Sequence, residues 1–159
     1  MKNSNKIFLM CLFVVTSILG CKDDNNPKVK DTLYNYDVTL SGANEVPPNT
    51  SSATGKFVGT YTKSTKVLSF TLSYTGMTAT DWHIHKGAPT VSGAVVIGLN
   101  PVVPSPLVKS VTLTAEQETD LLSGNYYVNI HSATFPGGEI RAQLGSPVVV
   151  DKEGGDGGY

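Results

Sequence analysis

From Tyr34 onward the apolar residues of this chain recur at every second position, and that period confines it to β-strands. Tyr34, Tyr36, Val38 and Leu40 alternate with Asn35, Asp37 and Thr39, the pattern of a half-buried strand. Lys56 to Thr62 repeats it, and Ser64-Thr65 turns the chain into Val67 to Tyr74, where Leu68, Phe70, Leu72 and Tyr74 share a face. Trp82 to Lys86, Ala94 to Leu99, Leu107 to Leu113, Asn125 to His131 and Glu139 to Leu144 read the same way. Between them lie breakers. Pro47-Pro48 cannot donate to a ladder, and Phe135-Pro136-Gly137-Gly138 closes a hairpin.

One segment departs from the alternation. Thr114-Ala115-Glu116-Gln117 matches a capping box, and Leu121-Leu122 are followed by Ser123-Gly124 as a stop. This predicts one helix of roughly two turns. About seven to nine short strands with one short helix indicate an all-β domain, an antiparallel β-sandwich of Greek-key, immunoglobulin-like or dismutase-like type. An eight-stranded barrel is the competing architecture. Residues 33–145 form the domain. Val148-Val149-Val150 has the composition of one more edge strand, inside a glycine-rich segment, 146–159, otherwise expected to be disordered.

The N-terminus obeys different rules. Lys2 and Lys6 precede an apolar run from Ile7 to Val15, and small residues lead to Gly20-Cys21, the layout of a secretory signal over residues 1–20. Ile18-Leu19-Gly20-Cys21 resembles a bacterial lipobox, with Ile18 and Leu19 a tolerated variant of the consensus. That resemblance implies acylation of Cys21. The other cysteine, Cys11, would leave with the signal, so no disulfide staples the mature domain. Several acyl chains would hold the protein durably to a membrane. Removing Lys2 and Lys6 turns the formal charge of −1 into −3, and no basic stripe invites nucleic acid. Residues 21–32 read as an acylated cysteine and a polar tether, about 35 Å long if ten residues are extended. Lys22-Asp23-Asp24 is similar to the acidic export signal of Bacteroidetes surface lipoproteins. The expected location is the bacterial envelope, on the outer membrane, facing either the periplasm or the cell surface.

All three histidines fall in two of the strands. Alternation puts His83 and His85 on one face, opposite Trp82, Ile84 and Lys86. It puts His131 with Asn129 and Tyr127, and Glu139 with Arg141 and Gln143. With Ile84, Val128, Ile130, Ile140 and Leu144 in the core, the histidines face outward together. Two imidazoles at i and i+2 plus one from another strand form a ligand set for copper or zinc, with Asn129 or Glu139 behind them. The alternative is a plain polar sheet face, hydrogen-bonded to neighbours such as Glu139.

Catalytic arrangements are weaker. No G-x-S-x-G elbow, P-loop or H-E-x-x-H occurs. A triad of Ser132, His131 and Asp81 fails because adjacent strand residues point to opposite faces. A non-enzymatic role is expected.

Three motifs in order then identify a family. Leu40-Ser41-Gly42-Ala43-Asn44-Glu45-Val46-Pro47-Pro48, Trp82-His83-Ile84-His85-Lys86-Gly87, and the run from Gly124-Asn125-Tyr126-Tyr127 through Pro136-Gly137-Gly138-Glu139-Ile140-Arg141-Ala142-Gln143-Leu144 resemble the CHRD domain. The resemblance spans Tyr34 to Leu144. It implies an extracytoplasmic β-fold acting as a binding or structural module toward an envelope or extracellular partner. The H-x-H segment is also similar to the copper ligands of copper–zinc superoxide dismutases, but three histidines are too few for their two metals. A last possibility is a glycan- or protein-binding face using Trp82, Tyr127 and Arg141.

Overall fold

A computed structural model describes residues 31–100 and 104–152. The lipobox, Cys21, most of the tether and the chain beyond Lys152 lie outside the described residues. Nine strands form among the described residues: β1 (Asp31–Ser41), β2 (Thr54–Thr62), β3 (Val67–Thr75), β4 (Ala79–Lys86), β5 (Val95–Gly98), β6 (Leu107–Thr112), β7 (Tyr126–Ser132), β8 (Ile140–Gln143) and β9 (Val148–Lys152). A 3₁₀ turn, Gly42–Asn44, follows β1, and one helix, α1 (Ala115–Leu122), precedes β7. The domain is all-β with one short helix, as the alternation predicts.

Its limits differ from the sequence reading at both ends. Asp31 and Thr32 belong to β1 rather than to the tether. Val148–Lys152 pairs antiparallel with Asp31–Asn35, so residues 146–152 are not a disordered tail. The three consecutive β-branched valines favour an extended strand, which pairs with β1.

The strands run in the order β5-β4-β7-β8-β1-β2-β3-β6, with β9 added beside β1. A single register pair, Ser41 with Arg141, joins β8 to β1, so the sheet folds there into two layers. It ends in β5 and β6 rather than closing as a barrel. The inner faces meet as the period requires. Tyr36, Leu40, Phe57, Tyr61, Leu68, Phe70 and Leu72 pack against Trp82, Ile84, Val128, Ile130 and Ile140, all buried. Phe57 stacks on Phe70 at 4.9 Å, and Tyr74 meets Trp82 edge-on at 6.0 Å. Phe57 and Phe70 crowd the position where a Cβ on Gly59 would sit.

Helix α1 starts where its capping box starts. Thr114 Oγ1 accepts from the Gln117 amide at 3.2 Å, and Gln117 Oε1 accepts from the Thr114 amide at 3.0 Å. Leu121 enters the core. Lys86 reaches Asp120 at 2.7 Å, and Lys63 pairs with the nearly buried Glu118, so the helix is pinned to β4 and to the end of β2.

Candidate metal centre

Strands β4 and β7 pair with Asp81 opposite His131, His83 opposite Asn129 and His85 opposite Tyr127. His131 is therefore a diagonal neighbour of His83, close enough for ring contact. The ring centroids of His83 lie 5.4 Å from His85 and 5.2 Å from His131, and His85 is 6.1 Å from His131. One nitrogen from each ring falls in a group whose members all lie within 4.8 Å of one another.

The backs of the rings decide which nitrogens those are. His83 Nε2 lies 3.0 Å from Asp81 Oδ1. His85 Nδ1 lies 3.0 Å from the Gly93 carbonyl, and His131 Nδ1 lies 3.0 Å from the Pro136 carbonyl. An oxygen acceptor fixes the N–H on the nitrogen beside it, and a neutral imidazole carries only one. In neutral rings the lone pairs then belong to His83 Nδ1, His85 Nε2 and His131 Nε2. His85 Nε2 is fully buried and has no hydrogen-bond partner. His83 Nδ1 and His131 Nε2 stand 3.3 Å apart, and in those neutral tautomers their lone pairs face each other. Burial holds the His85 and His131 pKa values below the usual imidazole range, with the neighbouring rings adding to the effect. The direction of both shifts favours the neutral ring, the form that ligates metal.

That 3.3 Å separation is informative. Two ligands at 2.0–2.1 Å from one tetrahedral ion stand about 3.3–3.4 Å apart. Copper and zinc both accept three imidazoles. Each ring is oriented from behind by a carboxylate or a carbonyl, as in established histidine–metal sites.

The face carrying the histidines is only partly solvated, which corrects the expectation of fully outward-facing side chains: His83 and His131 are half-buried, and His85 is buried. His85, Asn129, Glu139 and Arg141 are all buried. Three loops cover them. In the 42–53 loop, Asn49 Nδ2 donates to the Glu139 carbonyl at 3.0 Å, and Ser51 Oγ donates to Glu139 Oε1 at 2.6 Å. In the 87–94 loop, the Ala88 and Val91 carbonyls each accept from Arg141 Nη2 at 3.1 Å. The third loop, between β7 and β8, supplies the Pro136 carbonyl. The polar residues on this face serve loop backbone that burial would otherwise leave unpaired.

The expected partners behind the histidines are also displaced. Glu139 is committed to Ser51, and Asn129 Nδ2 turns to Glu45 Oε2 at 3.4 Å. Asp81, Gly93 and Pro136 do that work instead. Asp81 was legible, because it lies two residues before His83 on the same strand face. The two carbonyls belong to loops and leave no side-chain signal. An exposed docking face of Trp82, Tyr127 and Arg141 does not form: all three are buried, and Trp82 points into the core.

Tyr127 links the histidines to the buried cation. Its ring lies parallel to His85, 7° between planes and 4.8 Å between centroids. Arg141 Cζ sits 3.4 Å above the Tyr127 ring centroid. The two come from strands on either side of β7, so Tyr127 is held between them. Its hydroxyl accepts from the Gly93 amide at 2.9 Å, beside the carbonyl that orients His85.

Glu45 completes the polar interior. Its Oε1 is buried without a partner, as is Asn129 Oδ1. A Cβ on Gly138 would lie 2.7 Å from each of those oxygens, and Gly138 has φ of +135°, so glycine alone fits there. A cavity of about 580 Å³ between β1 and β8 is lined by Glu45 and Arg141 but by none of the histidines. The metal-type cluster therefore stands outside it.

Burial pushes the Glu45 carboxyl up to about 7, against the opposing effects of Arg141, the Val46 amide and Asn129. A carboxyl raised from 4.5 in the unfolded chain binds its proton more tightly when folded. Its stabilising contribution is full below pH 4.5 and is lost as pH rises through 7. The loss amounts to about 3 kcal/mol by pH 8. Glu45→Gln removes this dependence, so the variant gains on the wild type between pH 5 and pH 8. Urea midpoints at the two pH values measure the gain, and an unchanged difference would refute it.

The comparisons with known proteins agree with the motifs. No curated protein and no solved structure matches the chain. The family model of the CHRD domain matches residues 36–144, from β1 through the whole histidine face to the end of β8. With well over half of its length so matched, the chain belongs to the CHRD domain family.

Proposed function

We propose that this CHRD domain is a non-enzymatic metal-binding module of the bacterial envelope, holding one copper or zinc ion through His83, His85 and His131. The observation that carries the reading is the convergence of three ring nitrogens within 4.8 Å, each ring having its other nitrogen against an oxygen acceptor. With both rings in those neutral tautomers, two lone pairs face each other at 3.3 Å, and a cation between them relieves the opposition. Neutral imidazoles suit copper and zinc, whereas calcium and magnesium call for oxygen. Elemental analysis of the mature chain carrying Cys21→Ser, after incubation with copper or zinc and removal of the excess, tests the reading. One equivalent per chain is expected. None bound from either metal refutes it.

A second reading concerns place and partner. CHRD membership points to a binding or structural module, and the lipobox-like Ile18-Leu19-Gly20-Cys21 supports lipid attachment at Cys21. In this reading the domain is tethered to the outer membrane, on its periplasmic side or at the cell surface, and meets an envelope partner. Labelling of cells with radioactive palmitate is expected to mark the wild type and not Cys21→Ser. A Cys21→Ser protein still labelled and membrane-bound would refute the anchor.

A further inference from the structure

We propose that the ion held by the three histidines keeps its fourth coordination position open, and that this position takes water or a small monodentate anion from solvent. The inference rests on the metal reading above and adds the class of ligand that the site exchanges.

Three observations lead to it. The converging donors are three imidazoles with no carboxylate among them, within the described residues. Two nearby acids are engaged elsewhere, Asp81 behind His83 and Glu139 with Ser51, and Glu45, which meets Asn129 through one oxygen, is not among the converging donors. The 3.3 Å spacing of His83 Nδ1 and His131 Nε2 matches two corners of a tetrahedron. His85 supplies the third, so a corner is left that no described side chain fills.

Burial then says where that corner points. His85 is buried and forms the floor, while His83 and His131 are only half-buried and form the rim. The unfilled corner lies on the rim side, where solvent has access. Charge says what would fill it. Three neutral rings leave the ion its full double charge, and a metal–water pair of that kind loses a proton near neutral pH. Beyond Tyr127, the buried Arg141 adds a second positive charge, and Asp81, on the far side of His83, opposes it. An exchangeable anion is the ligand that this balance favours. Bond-making here is ligand substitution: the anion's lone pair binds the ion and the water departs, with no change of oxidation state.

The test uses the mature Cys21→Ser chain loaded with Cu(II), its stoichiometry measured first, and sodium azide as the probe. The expected result is a new azide-to-copper charge-transfer band that saturates at one azide per copper and reverses on dialysis. One equivalent of copper with no azide band overturns the open position while leaving the metal reading intact. No bound copper overturns both. The same titration on Glu45→Gln is expected to match the wild type. A band that appears only in that variant means that the Glu45 carboxylate already held the position, and this too overturns the proposal.

Discussion

The His83→Ala/His85→Ala/His131→Ala protein is expected to bind neither copper nor zinc, and His85→Ala alone to lose more than about a hundredfold in affinity. The magnitude follows from a comparison. Removing a group that merely orients a ligating histidine costs about ten- to a hundredfold, and removing a ligand must cost more. His85 is the informative single substitution because it forms the floor: its Nε2 is buried without a partner, and its ring is fixed between the Gly93 carbonyl and Tyr127. Asp81→Ala supplies the graded control. It leaves all three ligands in place and frees only the back of His83, so a loss of about tenfold is expected. Competition against a chelator of known affinity, with circular dichroism to verify folding, measures the series. A triple variant that binds as tightly as the wild type would end the metal reading.

How much of this was legible in the sequence divides along a physical line. Alternation depends only on local backbone geometry, so it placed Trp82 and Ile84 inside and gathered His83, His85 and His131 on one face. The capping box at Thr114 is equally local, and it forms as written. What alternation cannot distinguish is a polar face bathed in water from a polar face roofed by loops. Both read as polar residues at every second position. Arg141 and Glu139 therefore looked exposed, although Arg141 is among the most buried side chains of the domain.

The roof is built by residues far away in sequence. Asn49 meets Glu139 across 90 positions, and Asn129 meets Glu45 across 84. Glu45 was visible only as part of the family motif, with no hint that its carboxyl is buried beside Asn129. Loop carbonyls such as those of Gly93 and Pro136 are invisible to any reading of side-chain type. The histidines were readable as candidates, while the oxygens that fix their tautomers were not. The candidacy depends on those oxygens.

Arg141→Ala is expected to destabilise the domain by about 3–5 kcal/mol, the largest stability effect of any substitution argued here. Arg141 is 1% exposed. Its Nη2 is the donor to two carbonyls of the 87–94 loop and approaches Gln143 Oε1, and its Cζ sits over the Tyr127 ring, 3.4 Å from the centroid. Truncation leaves the Ala88 and Val91 carbonyls without this donor, removes the positive charge that faces Glu45, and opens space beneath the loop. Arg141→Lys is no full rescue. An ammonium is a point charge without the planar surface that covers the Tyr127 ring, so part of the loss remains. Because that loop carries Gly93, whose carbonyl orients His85, metal affinity falls with stability in both variants, even though no ligand has been touched. Urea unfolding with and without zinc separates the two effects: Arg141→Lys should lose stability in the free form and also gain less from the metal. If it unfolds as the wild type does under both conditions, the guanidinium stack does not hold the loop and the coupling to His85 falls with it.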